Sequence, residues 1–117
     1  MTKGILYIII SGLNDYKKAI EGLRIAEYQV GEGSHGVAIM LQGEGVNWLR
    51  DGDEDFRKEI QTSIGVVHEL GAAVFVCGAS LKEYGLTATM GAYNFLNSSA
   101  PQRISQVLSK DWQITTF

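Results

Sequence analysis

GILYIII, residues 4–10, decides the fold, because it is a continuous apolar run rich in β-branched side chains. Such a run is typical of a parallel strand that other elements cover on both faces. It is far too short to span a bilayer, so it predicts a buried first strand and no membrane association. From Tyr16 to about Val30, charged residues then lie opposite one apolar stripe with helical spacing. The stripe consists of Ala19, Ile20, Leu23, Ala26 and Val30.

Strand and helix patterns continue to alternate along the rest of the chain. Further strands are predicted at Gly36–Leu41, Ala72–Val76, Ala92–Leu96 (the weakest pattern) and Trp112–Phe117. Helices are predicted between Asp53 and Gly71, at Ser80–Tyr84 and from Pro101 onward, with a short helical turn at Val46–Arg50. Strands separated by amphipathic helices form βαβ units, which place parallel strands between layers of helices. The sequence therefore predicts an α/β fold: a single three-layer α/β/α domain over residues 1–117, with a mostly parallel sheet of about five strands.

Composition excludes several classes of function. The net charge is −3 and Lys and Arg are not clustered, which argues against a nucleic acid partner. A single cysteine cannot form an intramolecular disulfide, which favours a cytoplasmic protein. His35 and His68 have no neighbouring ligands at metal-binding spacing, so no metal or organic cofactor is expected. Gly31–Gly36 matches G-x-G-x-x-G but follows a helix and opens a strand, which indicates a turn and not a dinucleotide site.

Three loops follow the predicted central strands, and one of them contains the only cysteine. The loops are Ser11–Asp15, Gln42–Gly45 and Cys77–Ser80. Because ligands and catalytic groups gather at the carboxyl ends of parallel strands, we expect these loops to meet at one edge of the sheet. Backbone N–H groups at the start of the next helix would lower the pKa of Cys77 and favour its nucleophilic thiolate form. Gly78 would leave room for a second sulfur atom.

Three segments of the chain also match a known family in their order and spacing. The first runs from Ser11-Gly12-Leu13-Asn14-Asp15 into the Ala/Leu-rich helix Lys18–Ala26, and the second, Val37–Val46, is a strand followed by Gly43-Glu44-Gly45-Val46. The third, Gly71–Leu81, is a strand that ends in a cysteine, with Tyr84-Gly85-Leu86 after it. Together with the terminal strand at Trp112, these segments resemble the DsrE/DsrF-like family of small sulfur-metabolism proteins.

The resemblance implies an α/β/α domain that assembles into homotrimers or hexamers. In the sulfur-relay members of the family, the matching cysteine accepts a sulfane sulfur as a persulfide and passes it to a partner. Cys77 is therefore the predicted sulfur carrier, with donor and acceptor proteins as partners, since the chain has no second cysteine.

The predicted pocket and one alternative function complete the sequence-based interpretation. Backbone N–H groups of Gly78, Ala79 and Ser80 are expected to stabilise the thiolate. The walls of the pocket are predicted to be Asn14, Asp15, Gln42 and Gly43. The alternative function is a non-catalytic oligomeric protein that binds a small ligand or acts as a scaffold. In that case Cys77 is structural, because free cysteines often pack as small hydrophobes.

Overall fold

The central apolar runs form adjacent strands of one parallel sheet. The computed structural model describes residues 3–117. Its strands are β1 (Gly4–Ile9), β2 (Gly36–Leu41), β3 (Ala73–Cys77), β4 (Thr89–Met90), β5 (Tyr93–Asn94), β6 (Leu96–Ser98) and β7 (Trp112–Thr116). Its helices are α1 (Tyr16–Glu32), α2 (Asp55–Glu69), α3 (Gly78–Tyr84) and α4 (Ala100–Ser109), with 3₁₀ turns at Leu13–Asp15 and Gly43–Leu49.

The main sheet has five strands in the order β6-β3-β2-β1-β7, and every neighbouring pair is parallel. β1 pairs with β2 from Gly4 opposite Gly36 to Ile9 opposite Leu41, so these two strands are in register over their whole lengths. The two remaining strands, β4 and β5, form a separate antiparallel hairpin. The predicted α/β fold with about five mostly parallel strands is thus confirmed.

Side chains of the central strands alternate between two cores, one on each face of the sheet. Tyr7 and Ile9 of β1 belong to the larger core with buried residues of α1 and α2. Leu6 and Ile8 belong to the smaller core, which α4 covers with Ala100 and Val107 among others. Both faces of β1 are therefore buried, as its unbroken apolar sequence predicts, and the molecule has three layers.

The predicted strand at Ala92–Leu96 is wrong in its position. Tyr93 and Asn94 pair with β4 in the hairpin, and the strand that joins the main sheet begins only at Leu96. The rings of Tyr93 and Phe95 lie 5.3 and 5.4 Å from the imidazole of His68 on α2. These contacts hold the aromatic segment against the helix layer, so the chain reaches the sheet later than predicted.

Smaller differences concern the ends of elements. The first strand ends one residue early, because the N–H of Ile10 donates to the carbonyl of Phe117 at 2.8 Å and not to β2. α1 continues beyond Val30 to Glu32, and Gly33 ends it in a left-handed conformation with φ of 78°. The G-x-G-x-x-G segment thus closes a helix and precedes β2, as predicted. No helix within residues 3–117 is long and apolar enough to cross a membrane.

Candidate functional site

Cys77 is the last residue of β3 and the N-cap residue of α3. In the sheet it lies opposite Ser98 of β6, and its side chain belongs to the smaller core with Phe75 and Met40. The residue is only 6% exposed. The thiol therefore lies at the boundary between a packed core and the carboxyl edge of the sheet.

Two opposing effects act on the pKa of Cys77. Burial is the largest single effect and raises the pKa, because a thiolate loses hydration in an apolar surrounding. The hydroxyl and N–H of Ser80 and the N–H groups of Ala79 and Ala100 are polar donors near the thiol, and they lower its pKa. These donors together outweigh burial, so the pKa of Cys77 is below its ordinary value. The arrangement favours the thiolate, which is the nucleophilic form of cysteine.

Ser80 links the cysteine to the neighbouring loop of the sheet. Its side chain is buried, and its Oγ accepts a hydrogen bond from the N–H of Gly43 at 2.8 Å. Because that N–H occupies only an acceptor position of the hydroxyl, the hydroxyl keeps its own proton to donate. Two of the three predicted loops are thus joined directly.

The loop after β1 also joins this edge, but through the 3₁₀ turn Gly43–Leu49. The indole Nε1 of Trp48 donates to the carbonyl of Ser11 at 2.8 Å in a buried position. Gly12 packs so tightly against Glu44 that a β-carbon at Gly12 would lie 2.9 Å from the Cβ of Glu44. The expected meeting of three loops therefore occurs, with the turn in the middle.

A cavity of about 330 Å³ opens beside the sulfur. It is lined by Cys77, Gly78, Ala79, Asn97, Ser98, Ser99, Ala100 and Pro101. A β-carbon at Gly78 would lie 2.5 Å from Oδ1 of Asn97, so the glycine leaves room for the Asn97 side chain in the lining of the cavity. The cavity provides the space next to Cys77 that the sequence argument required.

The predicted pocket residues separate into two groups. Gly78 and Ala79 line the Cys77 cavity. Gln42, Gly43 and Ser80 lie outside its lining, although Gly43 and Ser80 are joined by the hydrogen bond just described. Gln42 is half-buried and its N–H donates to the carbonyl of Ile9 at 3.1 Å.

Asn14 and Asp15 are not in the lining of the Cys77 cavity. Asn14 is exposed in the 3₁₀ turn before α1. Asp15 lines a different cavity of about 450 Å³ with Lys18 and Glu44, among others, and its carboxylate lies 3.4 Å from the ammonium group of Lys18. The predicted wall at Asn14 and Asp15 therefore requires correction, because the loop after β1 borders another part of the edge.

The second wall of the Cys77 cavity, Asn97–Pro101, was not predicted. It is the junction of β6 and α4, from the last two residues of the strand to the first two of the helix, and it lies at a strand carboxyl end like the three loops that were selected. The same rule, applied to the weak strand prediction at Ala92–Leu96, would have selected this loop as well.

Charged groups surround the cavity without entering it. Within the described lining, every side chain is uncharged. The nearest cation on α4 that contacts the wall is Arg103, whose Nε donates to Oγ of Ser98 at 3.3 Å and whose guanidinium lies 4.0 Å from the ring centre of Phe75. Residues 3–117 contain no group of three or more His, Cys, Asp or Glu side chains that could hold a metal ion.

Comparison with family models shows one family for this chain, and comparison with solved structures shows the fold. A model of the DsrE/DsrF-like family matches residues 3–117. The ychN protein of E. coli has a solved structure with a TM-score of 0.79 at 13% identity, over 100% of both chains. A conserved protein of unknown function from Bacteroides thetaiotaomicron gives a TM-score of 0.75 at 15% identity, covering 97% of this chain and 94% of that one.

A third solved structure, a protein of unknown function from Methanobacterium thermoautotrophicum, gives a TM-score of 0.71 at 15% identity over 100% of both chains. No curated protein matches the sequence. At these identities, the likeness to solved structures establishes the fold alone.

Proposed function

Because this chain belongs to the DsrE/DsrF-like family, we propose that it is a sulfur carrier of a sulfur relay, in which Cys77 holds a sulfane sulfur as a persulfide. The observation that supports this most directly is the thiol itself. It lies beside a cavity, and hydrogen-bond donors from two helix starts hold the pKa of Cys77 below its ordinary value.

The loading step is a thiol exchange in which atoms and electrons balance. The Cys77 thiolate attacks the outer sulfur of a donor persulfide, R–S–SH. A bond forms between Sγ and that sulfur, the S–S bond of the donor breaks, and the donor leaves as the thiolate R–S⁻ with the bonding electron pair. The product is Cys77–S–SH. The step needs no metal and no external oxidant.

The unloading step repeats the exchange in the opposite direction. An acceptor thiolate attacks the outer sulfur of Cys77–S–SH, and Cys77 leaves as a thiolate. A thiol with a lower pKa is a better leaving group, so the donors that stabilise the Cys77 thiolate also favour release of the sulfur. Since Cys77 is the only cysteine of the chain, the acceptor thiol belongs to a partner molecule.

The cavity suits this chemistry in its size and its lining. Its volume of about 330 Å³ accommodates one additional sulfur together with the end of a donor group. The amide of Asn97 and the hydroxyls of Ser98 and Ser99 offer neutral hydrogen-bonding partners to that group.

Polysulfide treatment followed by intact-mass spectrometry tests the proposal. We expect the wild-type protein to gain one sulfur atom that a reducing agent removes, and the folded Cys77→Ser variant to gain none. Addition of a low-molecular-weight thiol to the loaded protein should transfer that sulfur to the thiol. Sulfur labelling that persists in Cys77→Ser, or a folded wild-type protein that never acquires the adduct, contradicts the proposal.

A structural role for Cys77 is the second candidate, and the burial of the side chain favours it. The residue is 6% exposed and packs with Phe75 and Met40. In that case the protein is a non-catalytic ligand-binding or scaffold protein. Alkylation of Cys77 would then occur only after denaturation, and a Cys77→Ala variant would lose stability with no other consequence.

We further propose that the protein works in the cytoplasm as a homotrimer or hexamer, with donor and acceptor proteins as its partners. Both outer strands of the described sheet, β6 and β7, have one unpaired side. Leu96 on β6 and Leu108 on α4 are 56% and 57% exposed, which leaves apolar surface available to another subunit. Light scattering coupled to size-exclusion chromatography checks the oligomeric state, and a purely monomeric protein contradicts it.

A further inference from the structure

Arg57 of α2 is a charged side chain enclosed by the protein, with only 4% of its surface exposed. Enclosing a guanidinium is costly unless its N–H groups find acceptors. Arg57 donates from NH1 to the carbonyls of Asn47 at 2.9 Å and Arg50 at 3.0 Å, and from Nε to the carboxylate of Glu54 at 3.0 Å. Two of these three acceptors are backbone carbonyls at the end of the Gly43–Leu49 turn.

A second side chain of α2 binds the same segment. The amide of Gln61 donates to the carbonyls of Trp48 at 2.7 Å and Arg50 at 2.9 Å. The guanidinium of Arg57 also lies 5.8 Å from the ring centre of Trp48. Asn47 and Trp48 of the turn, and Arg50 just after it, are therefore joined to α2 through their backbone or side chains.

The beginning of the same turn contacts the site. Gly43 adopts a left-handed conformation with φ of 57°, and its N–H donates to Oγ of Ser80. Two residues later, Gly45 packs directly on the carbonyl of Ile9, where a β-carbon would collide with that oxygen. The turn is a continuous 3₁₀ segment of seven residues, so a shift at its end moves its beginning.

We propose that Arg57, assisted by Gln61, is a positioning residue that holds the Gly43–Leu49 turn so that the Gly43 N–H remains bonded to Ser80 beside Cys77. The proposal rests on Cys77 being the reactive residue of the proposed function. Arg57 does not line the Cys77 cavity and acts only through the turn. Its effect on the thiol must therefore pass through the Ser80 hydroxyl.

The geometry defines what happens when the turn is released. Without the Gly43 N–H, the Ser80 hydroxyl is free to rotate and to direct its proton away from Cys77. Burial of the thiol, which raises the pKa of Cys77, then stays the same, while the lowering effect of the Ser80 hydroxyl is lost. Loss of Arg57 is expected to make the thiol less acidic, although the guanidinium is remote from the cavity.

The test is a double-mutant cycle measured as the pH profile of Cys77 alkylation by iodoacetamide. We expect Arg57→Gln to move the midpoint of the profile to higher pH. On the rising limb of the profile, the rate should fall up to about twofold, because lost thiolate is partly offset by the greater nucleophilicity of a more basic thiolate. In a Ser80→Ala background, the same Arg57→Gln substitution should change neither the midpoint nor the rate.

Two controls separate positioning from loss of stability. Ile60→Val removes one methylene from the core side of the same helix, so it should lower stability and leave the pH profile unchanged. If Arg57→Gln does not fold, Gln61→Ala replaces it, since it removes two bonds to the same turn from a half-buried position.

An unchanged profile in a folded Arg57 or Gln61 variant overturns the proposal, as does an equal shift in the presence and absence of Ser80. Iodoacetamide needs no sulfur donor, so this result is independent of whether Cys77 forms a persulfide. If the double-mutant cycle gives the expected result but Cys77 forms no persulfide, the proposed function is rejected and the positioning role of Arg57 is retained.

Discussion

Replacement of Ser80 by alanine is the most direct perturbation of the Cys77 thiol that leaves the cysteine in place. The substitution removes a buried hydroxyl that lowers the pKa of Cys77 and accepts the Gly43 N–H at 2.8 Å. The N–H groups of Ala79 and Ala100 remain, as does the burial that opposes them. We therefore expect the pKa of Cys77 to rise, because a donor to the thiolate is lost and desolvation is not.

The size of the effect follows from one hydrogen bond and one reactivity correction. A hydroxyl hydrogen bond contributes about 1 kcal/mol, so the thiolate population on the rising limb should fall about fivefold. A more basic thiolate is also more nucleophilic, with a Brønsted coefficient of about 0.4–0.5, which returns about a factor of two. The net alkylation rate should fall about 2.5-fold on the rising limb and increase about twofold on the high-pH plateau.

The measurement is the rate of iodoacetamide alkylation against pH for the native proteins, with Ser63→Ala as the matched control. Ser63 also lies in a helix and donates a hydrogen bond from its hydroxyl, to Glu27 at 3.1 Å, but it does not line the Cys77 cavity. Its profile should superimpose on that of the wild type. A Ser80→Ala profile that superimposes as well, in a folded protein, would show that the hydroxyl does not stabilise the thiolate.

Three further predictions concern the thiol, the cavity and a helix end. Because the pKa of Cys77 is lower in the folded protein, the stability of the wild type relative to Cys77→Ser should increase as pH rises from the folded pKa towards the ordinary cysteine value, and it should be lost as pH falls again. Urea unfolding at several pH values measures this difference. A difference that does not depend on pH contradicts the prediction. Gly78→Ala places a β-carbon 2.5 Å from Oδ1 of Asn97, which should restrict access to the cavity. We expect the rate of polysulfide loading to fall several-fold while the pH midpoint of alkylation stays unchanged. A shift of that midpoint together with the slower loading would reject an access effect. Gly31→Ala, in open space within α1, should raise the free energy of unfolding by about 0.5–1 kcal/mol. Gly33→Ala should lower the free energy of unfolding by about 1 kcal/mol, because Gly33 has φ of 78°, which a side chain disfavours. Urea denaturation measures both variants, and a less stable Gly31→Ala than Gly33→Ala contradicts the assigned helix end.

The central strands could be predicted because strands that are buried on both faces have continuous apolar sequences. The bounds of β2 are those predicted. β1 ends one residue earlier than predicted, and β3 is shifted by one residue towards the C-terminus. The segment around Tyr93 has an equally apolar composition but a different structure. Its aromatic rings pack on His68, which is about 25 residues earlier in the chain, and no local pattern indicates that contact.

The environment of Cys77 could be predicted only in the part that is local in sequence. Of the predicted backbone donors Gly78, Ala79 and Ser80, the N–H groups of Ala79 and Ser80 lower the pKa of Cys77, and Gly78 is not among the contributors. The bond between Gly43 and Ser80 joins residues 37 positions apart, and the Ala100 N–H comes from the start of another helix. Such contacts depend on which strands are neighbours, and the sequence pattern alone does not determine that order.

Strand order also explains why the predicted pocket contained the wrong loop. β3 lies between β2 and β6, so the loops that flank Cys77 are those that follow β2 and β6: the Gly43–Leu49 turn and Asn97–Pro101. β1 is two strands away from β3, a distance of about 10 Å at the usual spacing of parallel strands. The loop after β1 therefore reaches Cys77 only through the turn, and Asp15 lines another cavity. The rule that ligands bind at strand carboxyl ends selects the correct edge of the sheet, but the neighbours of one residue on that edge depend on the strand order.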